Sequence, residues 1–184
     1  MDETIKMLLD NLSSKDDEIR MNALKHILEL TESRVDWVYE AWDGLFNLLD
    51  DRNSFKRSIA VIVLCNLAKS DYQNRLQATL DMILSHTRDE KFVTSRQSLL
   101  NIWKIALTGG ENHNRIISHL EERFIECSTE EHYNLLRLDI IHSFRNIYDS
   151  TGDETILLRA RELILLEEVD KYRKKYEATL LNFN

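Results

Sequence analysis

Residues 16–28 read Asp16-Asp17-Glu18-Ile19-Arg20-Met21-Asn22-Ala23-Leu24-Lys25-His26-Ile27-Leu28. Counted from Arg20, the residues Ala23, Leu24, Ile27 and Leu30 fall at +3, +4, +7 and +10. Those offsets share one face of a helix with about 3.6 residues per turn. The acidic pair sits in the turn before the helix, and Leu8, twelve residues before Arg20, belongs to an earlier helix. The same frame recurs at Arg57, Arg96 and Arg137, with spacings of 37, 39 and 41 residues. The +3 and +4 positions are then Ala60-Val61, Leu99-Leu100 and Ile140-Ile141. The +7 positions are Leu64, Trp103 and Phe144, and the +10 positions are Leu67, Ala106 and Ile147. Twelve before each arginine come Leu45, Leu84 and Ile125, with acids in each turn at Asp50-Asp51, Asp89-Glu90 and Glu130-Glu131. A period near 40 residues is the mark of a repeat architecture whose units bury a continuous core by stacking.

Capping-box patterns mark helix starts at Ser70-x-x-Gln73, Ser128-x-x-Glu131 and Thr151-x-x-Glu154, with weaker versions at Ser14 and Ser33. Gly109-Gly110 and Gly152 mark stops. These signals predict helices near 2–12, 16–32, 35–49, 53–69, 72–86, 91–108, 112–127, 131–149 and 154–180. The last span reads best as one long helix, because no Gly, Pro or Asn interrupts it. The competing reading splits it, with Arg173, Tyr176, Leu180 and Phe183 forming a fifth second helix.

The Asp-rich turn, the apolar-Arg-x-x-Ala second helix and the leucine seam resemble the HEAT repeat family. The likeness is strongest at 16–28; Leu99 and Ile140 replace the alanine in later units, and the family's first-helix proline is missing. The resemblance implies an all-α fold, a right-handed α-α superhelix of about nine helices in four and a half hairpins. It implies one domain over 1–184, with repeats near 1–33, 34–71, 72–109 and 110–151 and a terminal capping unit at 152–184. It further implies that second helices line a concave face. The turn acids then pair with arginines of neighbouring units, which makes Arg20, Arg57, Arg96 and Arg137 a structural ladder.

Composition agrees with long helices and short polar turns. Proline is absent and glycine occurs four times, where average usage would give about nine and about thirteen. A β-sandwich needs more turn chemistry than that. Hydrophobic content of 43% with 30% charged residues suits a folded protein and not a disordered one. Cys65 and Cys127 form no disulfide framework or CxxC pair, so a reduced, cytoplasmic setting is expected. The acidic Met1-Asp2-Glu3-Thr4 start lacks the plan of a signal peptide, and the seven-residue apolar run Ile59–Cys65 is too short to span a membrane.

No catalytic signature emerges. Phosphate-binding glycine loops, HExxH and four-ligand Cys/His spacings are missing. The best metal or acid–base set is His132, Asp139 and His142 on one helix, which read more simply as ordinary polar residues facing water, so no metal and no cofactor is expected. The acids Glu121, Glu122 and Glu126 should raise the Cys127 pKa rather than activate the thiol. Two enzymatic branches of HEAT-like proteins stand as alternatives: base-repair glycosylases that bind nucleic acid, and lyases of bilin pigments. Neither finds its residue set here.

The helix around Ser58–Cys65 is apolar nearly all round. Ile59 and Ile62 stand where unit one carries Asn22 and Lys25 and unit three carries Ser98 and Asn101. Either neighbours bury the helix on both sides, or it floors an apolar groove. The second reading gives a non-catalytic protein–protein interaction module. A partner helix or peptide would lie against Phe55, Ile59, Ile62 and Asn66, with Gln97 and Asn101 at the rim. Neither the partner's identity nor the oligomeric state is written in the sequence. Charge bears on the nucleic-acid alternative: residues 1–51 hold 13 acids and 5 bases, and the remainder is neutral, so the whole net charge of −8 lies in the first quarter. An acidic surface repels phosphate. The chain is therefore expected to give no salt-dependent mobility shift with duplex DNA near physiological salt. A dissociation constant of about 10⁻⁴ to 10⁻⁶ M, usual for non-specific binders, would restore the base-repair reading.

Overall fold

A computed structural model describes residues 1–181 and contains helices and no strand among them. Phe183 lies outside the described residues. The helices are α1 (Glu3–Asn11), α2 (Asp17–Leu30), α3 (Val38–Leu48), α4 (Ser54–Leu67), α5 (Arg75–Ser85), α6 (Phe92–Leu99), α7 (Trp103–Ala106), α8 (Gly110–Glu126), α9 (Tyr133–Thr151), α10 (Glu154–Leu165) and α11 (Asp170–Leu181). Where the sequence reads as one repeat array over 1–184, the helices group into two compact units, Met1–Ser98 and Leu99 onward, which part inside the third repeat.

In the first unit α1 pairs with α2 and α3 with α4, and the second helices α2 and α4 also pack on each other. Helix starts are set by side-chain oxygens. Asp16 accepts from the Glu18 and Ile19 amides, and Asn53 accepts from the Phe55 amide. At α5 the cap differs from the expected Ser70. Asp71 accepts from the Arg75 and Leu76 amides at 3.0 and 2.7 Å, while Ser70 turns away to accept from the Val35 amide.

In the second unit α7 packs on α8 and α9, α10 packs on α9 and α11, and α11 packs on α9. Two expected helices are broken there. The span 91–108 stops at Leu99, because the Trp103 indole donates to the Leu100 carbonyl at 3.0 Å and claims an acceptor the helix needs. The amides of Lys104 and Ile105 bond three residues back instead, tightening the chain into a turn. The span 154–180 is a helix pair, not one helix. Its break at Leu166–Val169 needs no Gly or Pro, because the buried Glu167 anchors it. The expected stop at Gly152 holds: its φ of +69° is the left-handed conformation glycine adopts freely, and its amide closes on the Tyr148 carbonyl at 2.7 Å.

The seam residues Ala23, Leu24, Ile27, Ala60, Val61, Leu64, Leu67, Leu99, Ala106, Ile140, Ile141, Phe144 and Ile147 are all buried. Leu100 and Trp103 are only half-buried, and Leu30 is exposed. Ile125 departs from the frame: it is exposed, and Phe124 fills the core in its place. The 41-residue spacing of that repeat shifts the first helix by one position relative to its arginine. Ile59 is also core, 4% exposed. It lies two turns before Asn66, which bonds Thr31 of unit one, so Ile59 shares the side of α4 that packs on α2. Asn22 occupies the same position on α2 and is exposed. Ile59→Ser should therefore lower unfolding stability by about 2–4 kcal/mol, through lost burial and a stranded hydroxyl. Asn22→Ser should shift it by no more than about 0.5 kcal/mol. Urea titration of the two variants checks the contrast.

Candidate functional site

Helix α4 is the one the sequence singles out, and the structure sorts its residues sharply. Its flank toward α2 is closed: Ile59, Val63 and Leu67 are buried, Asn66 Nδ2 donates to Thr31 Oγ1 at 3.2 Å, and Lys69 Nζ reaches the Glu32 carbonyl at 2.9 Å. Its other flank meets the third repeat, where Ser58 Oγ donates to Thr94 Oγ1 at 2.9 Å. What remains open is a narrow strip. Phe55 is 59% exposed and Ile62, two turns on, is half-buried. Of the six expected partner-contacting residues, Ile59 and Asn66 are withdrawn into the stack. Gln97 is half-buried, and Asn101 belongs to the other compact unit.

Phe55 also lies under the Arg20 guanidinium, 5.4 Å from the ring centroid. A cation over an aromatic face is attracted by the ring quadrupole, which holds the ring at the mouth of the strip. Glu18, Lys25 and Glu29 of α2 are exposed, with Lys25 Nζ 3.9 Å from Glu29.

The four repeat arginines take different surroundings. Arg57 is 9% exposed. Its Nε and Nη2 donate to the two Asp89 carboxylate oxygens at 2.7 and 2.8 Å, and its Nη1 donates to the Asp51 and Arg52 carbonyls. Arg137 Nη1 donates to Glu167 at 2.8 Å, and its Nε to the Phe124 carbonyl at 3.0 Å. Each of these two joins its own repeat to the turn of the next. Arg20 turns back within its own repeat, to Asp17 at 2.6 Å and the Ser14 carbonyl at 2.9 Å. Arg96 is half-buried, 5.8 Å from the Phe92 ring centroid. Sequence reasoning missed Arg123, which is 1% exposed and donates to both Glu130 oxygens. The acid seven residues ahead was its only signal.

Burial alone would raise the Asp89 carboxyl, but the Arg57 guanidinium, the Lys91 amide and His86 together hold it below the usual range. Burial pushes the neighbouring His86 down, against the pull of Asp89. Cys127 is raised, chiefly by burial rather than by the acids of α8. The metal candidates do not meet as ligands. His132 is exposed, with left-handed backbone at the start of α9; Asp139 is buried; His142 is exposed. Among the described residues no group of three His, Cys, Asp or Glu side chains could hold a metal ion. Among them also, no helix is long and apolar enough to cross a membrane.

No family model matches the chain, and no curated protein matches it. Solved structures do. A designed armadillo repeat protein superposes with a TM-score of 0.54 at 16% identity, over 96% of this chain and 80% of its own. An engineered protein solved by a structural genomics consortium gives 0.52 at 17% identity, over 98% of this chain and 78% of its own. A second engineered protein from the same consortium gives 0.52 at 18%, covering 98% of this chain and 47% of its own. The chain therefore has the fold of a HEAT/armadillo-like α-solenoid.

The Arg57–Asp89 pair yields a measurable expectation. Arg57→Ala strands a carboxylate that is 4% exposed, and should cost roughly 3–5 kcal/mol of stability. Because the folded-state pKa of Asp89 is depressed, the pair's contribution is present above the unfolded carboxylate value near 3.9. It is lost as pH falls through the lowered folded value. Urea midpoints from about pH 7 to pH 2 should fall less steeply in Arg57→Ala than in wild type. Superimposable curves would remove the pair from the stability of the fold.

Proposed function

We propose that the protein is a non-catalytic interaction module, a scaffold that receives a helix or extended peptide along the second-helix side of its first compact unit. One observation carries the reading. On a helix otherwise closed by neighbours on both flanks, Phe55 is exposed and Ile62, two turns on, keeps part of its surface, the spacing at which one face of a partner helix presents its anchors. A large aromatic held in place by Arg20 loses little freedom on contact. A few anchors of this kind dominate the affinity of such interfaces.

The helical-repeat fold supports the reading, because stacked hairpins build long open surfaces from side chains that the core does not consume. The paired change Phe55→Ala, Ile62→Ser removes the anchors while leaving Ile59, Val63 and Leu67 in place. It should lower stability by about 1 kcal/mol or less and abolish partner capture from native extract, compared with wild type by quantitative mass spectrometry. An unchanged set of captured proteins removes this strip from the function.

A further inference from the structure

A histidine sits against the ion pair that joins the second repeat to the third. His86 opens the 3₁₀ turn His86–Arg88 that follows α5, and it is 8% exposed. Its Nδ1 lies 3.3 Å from Asp89 Oδ2, the same oxygen that accepts from Arg57 Nε at 2.7 Å. Against its burial, Arg57 and the Lys91 amide hold the Asp89 carboxyl charged. A ring nitrogen facing a carboxylate must carry the proton, so Nε2 is left with the lone pair. Nε2 is buried and completes no hydrogen bond. A buried polar atom left bare is costly and calls for a reason. Packing does not supply one. Asp89, Glu130 and Glu167 are each bonded by an arginine, and three residues before them stand His86, Cys127 and Ile164, all buried. A thiol and an aliphatic chain fill the later turns; of the three residues, only His86 is of a type that titrates near neutrality.

A proton on Nε2 would set a second cation against a carboxylate that Arg57 already neutralises. The charged groups facing the ring are Asp89, from the turn into α6, and Arg57, from α4; the turn between α3 and α4 brings the Leu49 carbonyl near it. Burial is the largest influence and disfavours the charged ring, as Arg57 does; Asp89 and the Leu49 carbonyl favour it and are outweighed. The folded ring therefore takes its proton at lower pH than an exposed histidine, whose ordinary value is about 6.5. As pH falls from that value toward the lowered one, an opened turn binds the proton that the closed turn refuses, and the closed state loses stability. The ring reaches water only when its turn opens. Thr87 Oγ1 donates to the Leu84 carbonyl at 2.7 Å, and the Thr87 carbonyl accepts from Ser95 Oγ at 2.6 Å. We infer that His86 is an acid-sensitive latch on the joint between α4 and the α5–α6 turn: neutral, it lets the joint close, and on taking a proton it frees the turn from Arg57. The latch is independent of whether the strip on α4 binds a partner.

The test follows the full chain by NMR of its histidine rings and by amide hydrogen exchange, corrected for the chemical effect of pH, from about pH 7.5 to about pH 5. Asp89 titrates below about 3.9 and so stays charged throughout. His86 should titrate below the exposed His26, His132 and His142. Opening of the amides in 84–95 should rise by up to about tenfold per pH unit below about pH 6.5, the limit for one proton. The amides of α9 should keep their protection. His86→Leu, which puts an aliphatic chain where the last repeat has Ile164, should fold and lose the acid response of 84–95. His86→Gln should lose it too, and decides the matter if the leucine variant does not fold. A wild-type His86 that titrates with the exposed histidines overturns the proposal. So does an acid response that survives in the neutral variants, or one spread evenly along the chain.

Discussion

The stack depends on what a second helix does with the arginine near its start. A turn that joins two antiparallel helices leaves backbone carbonyls pointing into the junction, and burying them without donors is costly. A guanidinium offers five donors in a flat fork. Arg20, Arg57 and Arg173 each donate to the carbonyl six residues back, at Ser14, Asp51 and Glu167. The remaining donors are then free to meet an acid. In Arg57 and Arg137 that acid belongs to the next turn, Asp89 or Glu167. The acids cap as well: the Lys91 amide bonds Asp89 and the Val169 amide bonds Glu167. One ion pair thus fixes the end of one hairpin, the start of the next and the distance between them.

That logic explains the last repeat. No residue in 165–170 breaks a helix by its own propensity. Glu167 is 1% exposed, with its carboxylate bonded by Arg137 and Tyr133 and its carbonyl by Arg173. A long straight helix would forfeit all of these partners and leave the Arg137 charge buried without its acid. The tertiary pair outweighs the few tenths of a kcal/mol per residue that favour continuing a helix. Arg173 accordingly occupies in the fifth repeat the place of Arg20 and Arg57.

The fold was legible because the stacking face and the turn acids are both local patterns, visible as apolar residues at +3, +4, +7 and +10 from an arginine. The breaks at Leu100 and Leu166 were not. They arise from an indole donating to a carbonyl and from an acid claimed by an arginine thirty residues earlier, and neither partner is marked by spacing. The shift that exposes Ile125 comes from a longer repeat, whose register is settled only when the helices pack. The candidate strip was half legible. Comparing equivalent positions drew out α4, and Phe55, which is exposed, was among the residues named.

Ile59 shows why the other half was hidden. In a stack, a second helix has two flanks against neighbours and one side open, and apolar residues on a flank look the same in sequence as apolar residues on the open side. Asn22 and Ile59 occupy equivalent positions, yet Asn22 is exposed while Ile59, on the side of α4 that packs on α2, is buried. The comparison between repeats therefore set an exposed polar position of α2 against a covered apolar position of α4. Ile62 differs, since its equivalent Lys25 is exposed on the open side of α2 and Ile62 itself keeps part of its surface. An apolar residue is informative about binding only at positions that stay open in other repeats; Ile62, whose equivalents Lys25 and His142 are exposed, passes that measure and Ile59 does not, while Phe55 is exposed although its equivalent Thr94 is buried.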